Sequence, residues 1–155
     1  MTALLFIVGI LLAAAFQARL PTLWWLGGVR LEFVPALVVY GSLTLPRRQA
    51  ILLAIMAGMA QDALSASPFG LSVLAYGLSA LWISGARETL DRDLPWVQMG
   101  AGGFTSATVA VIAFFVVGVS FAMLFKFVVV VTISGIITVV LFFALDYARA
   151  VWGDA

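Results

Sequence analysis

The sequence predicts an all-α, polytopic membrane protein, a single domain over 1–155 built as a compact bundle of about six transmembrane helices. Three observations predict it. Hydrophobic residues make up 65% of the 155 residues while charged ones make up 10%. A soluble domain of this size has more surface than core, and eight basic and seven acidic side chains cannot cover it, so lipid must. Finally, the apolar residues fall into runs long enough to be helices that cross hydrocarbon, which takes about 20 residues at about 1.5 Å each, or fewer where the bilayer thins.

The first predicted span covers about 3–18. No Lys or Arg precedes its apolar run and apolar segments follow it, so it reads as a retained helix rather than a cleaved signal. From Arg19 to Arg30 the chain reads as interfacial: Pro21 ends the helix, Gly27-Gly28 allows a turn, and Trp24-Trp25 suit the headgroup level. The second span, 31–45, leads through the charged turn Pro46-Arg47-Arg48 into the third, 49–64. Both are short for a full crossing.

The fourth span, 68–84, is expected to start at Ser67-Pro68, with Ser67 as cap and Pro68 in the first helical position, where no N–H is needed. Gly85 to Pro95 is the most polar stretch. Its pairs Arg87/Asp91 and Glu88/Arg92 lie four apart, as in a short surface helix. The run from Trp96 to Leu145 would make a helix of about 75 Å, far beyond one crossing of about 30 Å. It must fold back, and a turn over Gly118 to Lys126 gives spans at 97–118 and 127–145. Asp146 and Arg149, three apart, are expected to pair as the last helix leaves the bilayer. Lys126 is expected to reach an interface. Arg47, Arg48, Arg87, Arg92 and Arg149 then share one side against Arg19, Arg30 and Lys126, which puts both termini in the cytoplasm.

The chain has no cysteine and no histidine. That removes disulfides, thiolate nucleophiles, the usual zinc sites and histidine general bases. The acidic residues are scattered among segments, apart from a Glu88–Asp93 cluster interleaved with Arg87 and Arg92, so no metal site, cofactor site or catalytic group is expected. A net charge of +1 gives no basic surface for nucleic acid.

Asp62 is the sharpest signal. A carboxylate in a membrane span costs about 2.5–3.5 kcal/mol at the centre on insertion scales, and the C-terminal end of a helix disfavours an anion further. The free N–H groups at the start of the next helix, around Ser67 to Gly70, are the nearest compensation, by which Asp62 would lock a helix–loop–helix hairpin or present it to a partner. A proton or ion relay is the least favoured reading, since no second titrating group is near in sequence. Small residues recur every four positions at Ala50, Ala54, Gly58 and Asp62, and again at Gly102, Ser106 and Ala110. Such ridges let membrane helices approach closely, within the chain or with a partner's helix.

The ordered series Arg30 to Tyr40, Leu45-Pro46-Arg47-Arg48, Gly58-Met59-Ala60-Gln61-Asp62-Ala63-Leu64-Ser65, Pro68-Phe69-Gly70-Leu71 and Tyr76 resembles the MreD family of rod shape-determining membrane proteins. The resemblance is specific over about 30–80 and rests on length and hydropathy elsewhere. It implies a six-helix, non-enzymatic subunit of the bacterial cell-elongation machinery in the inner membrane. The implied partners are the bitopic protein MreC, with RodA, a penicillin-binding transpeptidase and MreB, and the implied role is in the control of peptidoglycan synthesis and cell shape. The motif transfers onto Gly58, Asp62, Ser65, Pro68, Phe69 and Gly70, none with a catalytic role. The family is similar in fold to the substrate-binding subunits of energy-coupling-factor vitamin transporters. A vitamin-binding subunit is therefore the alternative reading, with Ala14 and Ala18 on the first span available for docking a coupling subunit.

Overall fold

The computed structural model describes residues 33–64, 69–117 and 124–152, preceded by residues 8, 9, 12, 13, 15–17 and 19, which are helical. The described residues contain five further helices and no strand: α1 (Val34–Thr44), α2 (Arg47–Leu64), α3 (Leu71–Ala86), α4 (Pro95–Val117) and α5 (Leu124–Trp152). They correspond to the second to sixth predicted spans. The interfacial stretch 20–30, Ala14, Ala18, Ser65 to Pro68 and 118–123 lie outside the described residues.

The bundle is organised around α1, the shortest of these five helices. α1 has no polar face, which suits an enclosure of either lipid or protein, and here it is protein that encloses it. Ten of its eleven residues are buried, among them Val34, Val38 and Val39 at 0% exposure. α2, α3, α4 and α5 all pack against it. Its first half sits in a cluster with Leu53, Ala54, Ala57, Ala75, Tyr76 and Ala80 from α2 and α3. Its second half packs with Ile83, Ala101 and Phe142 from α3, α4 and α5. At about 16 Å, α1 is too short to cross a bilayer. Shortness is tolerable here because irregular backbone at membrane depth is permitted where protein surrounds it.

Among the described residues two helices are long and apolar enough to span, over Pro95–Val116 and Val128–Ala148, and only 22% of the apolar window of each is buried in the molecule. Their outward faces carry Phe104, Phe114, Phe115, Val140 and Phe143, all exposed. In a protein that lacks the charge to solubilise such faces, the surrounding medium is lipid.

Three expectations are corrected. First, α5 does not end near 145 but runs on to Trp152. Asp146 thus stays within the helix, half-buried, and accepts a hydrogen bond from the Tyr40 hydroxyl at 3.0 Å. This contact ties Asp146 to α1; the expected pairing with Arg149 falls on a side chain that lies outside the described residues.

Second, Gly85 to Pro95 forms no short surface helix. α3 ends at Ala86, and the chain turns through Thr89 N and Leu90 N, both donating to Ala86 O at 3.0 Å. Arg87 reaches away to the Leu45 carbonyl at 2.7 Å, and the one ion pair among the described residues is Arg92–Asp93 at 3.3 Å. Unwinding after Ala86 removes the one-turn spacing that pairing across four residues requires.

Third, α3 starts at Leu71, with Gly70 as its N-cap, and not at Ser67-Pro68. Gly70 has φ +100°, a left-handed conformation that favours glycine. This is where the chain reverses into α3. Phe69 and Gly70 form a turn, and Ser67 and Pro68, the expected start, lie outside the described residues.

Candidate functional site

The α2–α3 hairpin is built by two α2 residues one turn apart. A Cβ added at Gly58 would lie 2.5 Å from Val73 Cα, 2.6 Å from Val73 N and 2.8 Å from Ser72 C. Those atoms are backbone, so α3 lies directly on the α2 backbone and only glycine fits. One turn on, Asp62 is 4% exposed and reaches the same strip of chain. Its Oδ2 accepts from Gly70 N at 2.7 Å and its Oδ1 from Ser72 N at 3.1 Å. α3 has no side-chain cap of its own at Gly70, so the preceding helix supplies one. A charge-assisted cap satisfies N–H groups that a helix start leaves unpaired. It also places the anion at the positive end of α3, offsetting its position near the negative end of α2. Gly58 sets the distance and Asp62 makes the bonds.

Gln17 repeats the arrangement at the start of α1. It is 7% exposed, and its Oε1 accepts from Phe33 N at 3.0 Å and Val34 N at 3.4 Å. Its Nε2 donates to Gln61 Oε1 at 3.5 Å, which ties the first segment to the residue before Asp62. The starts of α1 and α3 are therefore both capped from other elements, at one end of the bundle. Sequence reasoning missed Gln17, although the signal was present: it is the sole polar residue between Ala3 and Ala18.

Of the residues singled out from sequence, the structure brings together Gly58, Asp62 and Gly70. Ser65, Ser67 and Pro68 lie outside the described residues. Phe69 stands beside the junction with its ring 72% exposed. Ala50 and Ala54 are fully buried on the same ridge as Gly58. The second ridge packs α4 on α5. Gly102 meets the Thr138 side chain and comes near Gly135, and Ser106 Oγ donates to Ser134 Oγ at 2.6 Å. Ala110 is half-buried.

Beside that contact, α4 and α5 form an open groove of about 520 Å³, floored by Gly100, Gly103 and Ala107 and flanked by Trp96, Phe104 and Val131. Thr132 supplies its hydroxyl, which already donates to Val128 O at 2.8 Å. A small-molecule pocket needs several convergent polar groups, and this groove lacks them. Among the described residues no group of three acidic side chains is placed to hold a metal ion.

A helical membrane protein results, in which Asp62, the buried carboxylate of the hairpin, serves the backbone. A family model described as rod shape-determining protein MreD matches residues 1–148, and the chain belongs to that family. Membership carries a role in rod shape determination. No curated protein and no solved structure matches the chain.

Proposed function

We propose that the chain is a non-enzymatic, six-helix scaffold of the cell-elongation machinery in the bacterial inner membrane. In this reading it binds the single-pass protein MreC, acts alongside RodA, a penicillin-binding transpeptidase and MreB, and so helps control peptidoglycan synthesis. The observation that carries it is the family match over residues 1–148. The hairpin agrees with it, since Gly58 and Asp62 are committed to backbone packing and capping.

A scaffold needs a rigid frame and an open face, and the α4–α5 groove is such a face. Gly100 and Gly103 would let the backbone of a partner's membrane helix come close, as small residues do in membrane interfaces. A Cβ at Gly100 meets nothing within 4 Å, so Gly100→Leu fills the groove without disturbing the bundle. Co-expression with MreC and purification from membranes is the test. Wild type should retain MreC, and Gly100→Leu should lose it while its thermal midpoint in detergent stays unchanged. Failure of the two wild-type proteins to associate overturns the reading.

Both termini are assigned to the cytoplasm. A cysteine introduced as Leu90→Cys should accordingly resist a membrane-impermeant reagent added from the periplasm.

A further inference from the structure

The end of the bundle opposite the capped hairpin junction carries arginines that form no ion pair among the described residues. α1 stops at Thr44, and the chain turns through Leu45 and Pro46 into Arg47 and Arg48, both exposed at the start of α2. No acidic residue stands in the first turn of α2, although a helix start favours anions and disfavours cations. The structure adds a third cation that the sequence places 39 positions away. Arg87, at the end of α3, donates through Nη1 to the Leu45 carbonyl at 2.7 Å, which holds its guanidinium against the same turn. A guanidinium has five N–H donors, so most of its hydrogen-bonding capacity is left over. Exposed Glu88 follows Arg87 in the chain yet pairs with none of the three. The single ion pair among the described residues joins Arg92 to Asp93 instead.

Three cations at one corner of a sparsely charged protein call for an anion. Two observations on the neighbouring helices say which. Trp82, a little over one turn before Arg87 on α3, is 64% exposed, and Trp96, in the first turn of α4, is 70% exposed. Indole rings held outward at helix ends suit the headgroup layer. Below Trp82, the exposed side chains of Leu78 and Leu74 continue one turn apart along α3, an apolar stripe leading away from the arginines. Charged corner, aromatic ring and apolar stripe follow the order of headgroup, interface and acyl chain.

We propose that Arg47, Arg48 and Arg87 form a binding site for the phosphate-bearing headgroup of an anionic phospholipid, in the leaflet where α1 ends and α2 begins. The site rests on the membrane-spanning reading above but not on any protein partner. Its arginines match phosphate oxygens by geometry as well as charge.

The test uses the full chain. Insertion into phosphatidylcholine vesicles is measured first, and failure there sinks the membrane-spanning reading itself. The detergent-solubilised protein is then titrated with phosphatidylglycerol or phosphatidylcholine, and retained lipid is counted by native mass spectrometry. Wild type should retain phosphatidylglycerol in preference. Arg47→Gln combined with Arg48→Gln should weaken that retention by about tenfold or more, and Arg92→Gln should leave it unchanged. Arg87→Lys should weaken it while keeping the charge, because a bidentate contact is lost. Equal retention of both lipids, or a double variant that binds like wild type, overturns the site. Inorganic phosphate displacing phosphatidylglycerol at equal concentration would make it a free-anion site and overturn the lipid assignment. So would unchanged lipid retention together with loss of a co-purifying acidic protein.

Discussion

The α1–α3 half and the α4–α5 half of this molecule solve one problem in two ways. Both bury polar groups in an apolar bundle. Around α1 and α3 hydroxyls such as Ser42 bond to their own helix, but what sets this half apart is its backbone ends. Side chains from other elements satisfy them: Gln17 at the start of α1, Asp62 at the start of α3 and Arg87 on the carbonyl of Leu45. In α4 and α5 the helices are long and their ends lie far apart. The interior polar groups there are hydroxyls that mostly bond to their own helix, as Thr105 does to Ala101 O and Thr138 to Ser134 O. The contrast teaches where rigidity resides. Short helices have a high proportion of unpaired backbone groups, so the first half depends on long-range caps. Long helices satisfy themselves and need only fit, which leaves the second half free to present an open groove.

The glycines show the same difference. At Gly58 the neighbour is the α3 backbone, which has nowhere to go, whereas at Gly102 it is chiefly the Thr138 side chain. Gly58→Ala is therefore expected to have the largest effect, costing about 3 kcal/mol or more by overpacking and sharply reducing folded yield in detergent. Asp62→Ala comes next. It strands the buried Ser72 N–H and the half-buried Gly70 N–H and should cost about 2–3 kcal/mol. Asp62→Asn should cost less while still lowering the thermal midpoint, since an amide retains one acceptor oxygen. Gly102→Ala should cost about 1–2 kcal/mol, because it is chiefly the Thr138 side chain, and not a helix backbone, that has to move aside.

Smallest of all should be Ser106→Ala, at under about 1 kcal/mol, the usual scale for interhelical hydroxyl bonds in membrane proteins. Thermal unfolding of the four sites in one detergent gives the order. If Gly102→Ala proves as damaging as Gly58→Ala, the α4–α5 contact is as rigid as the hairpin, and the division into a locked half and an adaptable half fails.

Much of the fold was legible beforehand because apolar periodicity and punctuation are local. Pro46 and the polar run near Pro95 mark helix ends, and a stretch of apolar residues too long for one crossing announces a fold-back. Asp62 was legible as a residue in need of donors, since a lone carboxylate among Ala, Met and Leu has no local solution. Its partners were only half legible. The donors are Gly70 N and Ser72 N, and their position depends on Gly70 turning the chain left-handed, which a scan that favours a Ser-Pro helix start does not anticipate. Gln17 was visible as an odd residue but not as a cap, because the helix start that it serves lies sixteen positions away.

By itself the sequence determined the solvent, the all-helical class, the absence of histidine and cysteine chemistry, and the residues too polar or too small to be filler. These follow from composition and from spacing within one turn of helix, where physical consequences are fixed by near neighbours. Only the tertiary structure decided that α1 is the buried centre, that Asp146 answers Tyr40 across 106 positions, and that Arg87 joins Arg47 and Arg48 at one corner. Those pairings depend on how helices stack in three dimensions. Along the chain an apolar helix on the axis of a bundle looks the same as one on its rim, because what separates them is which neighbours enclose it.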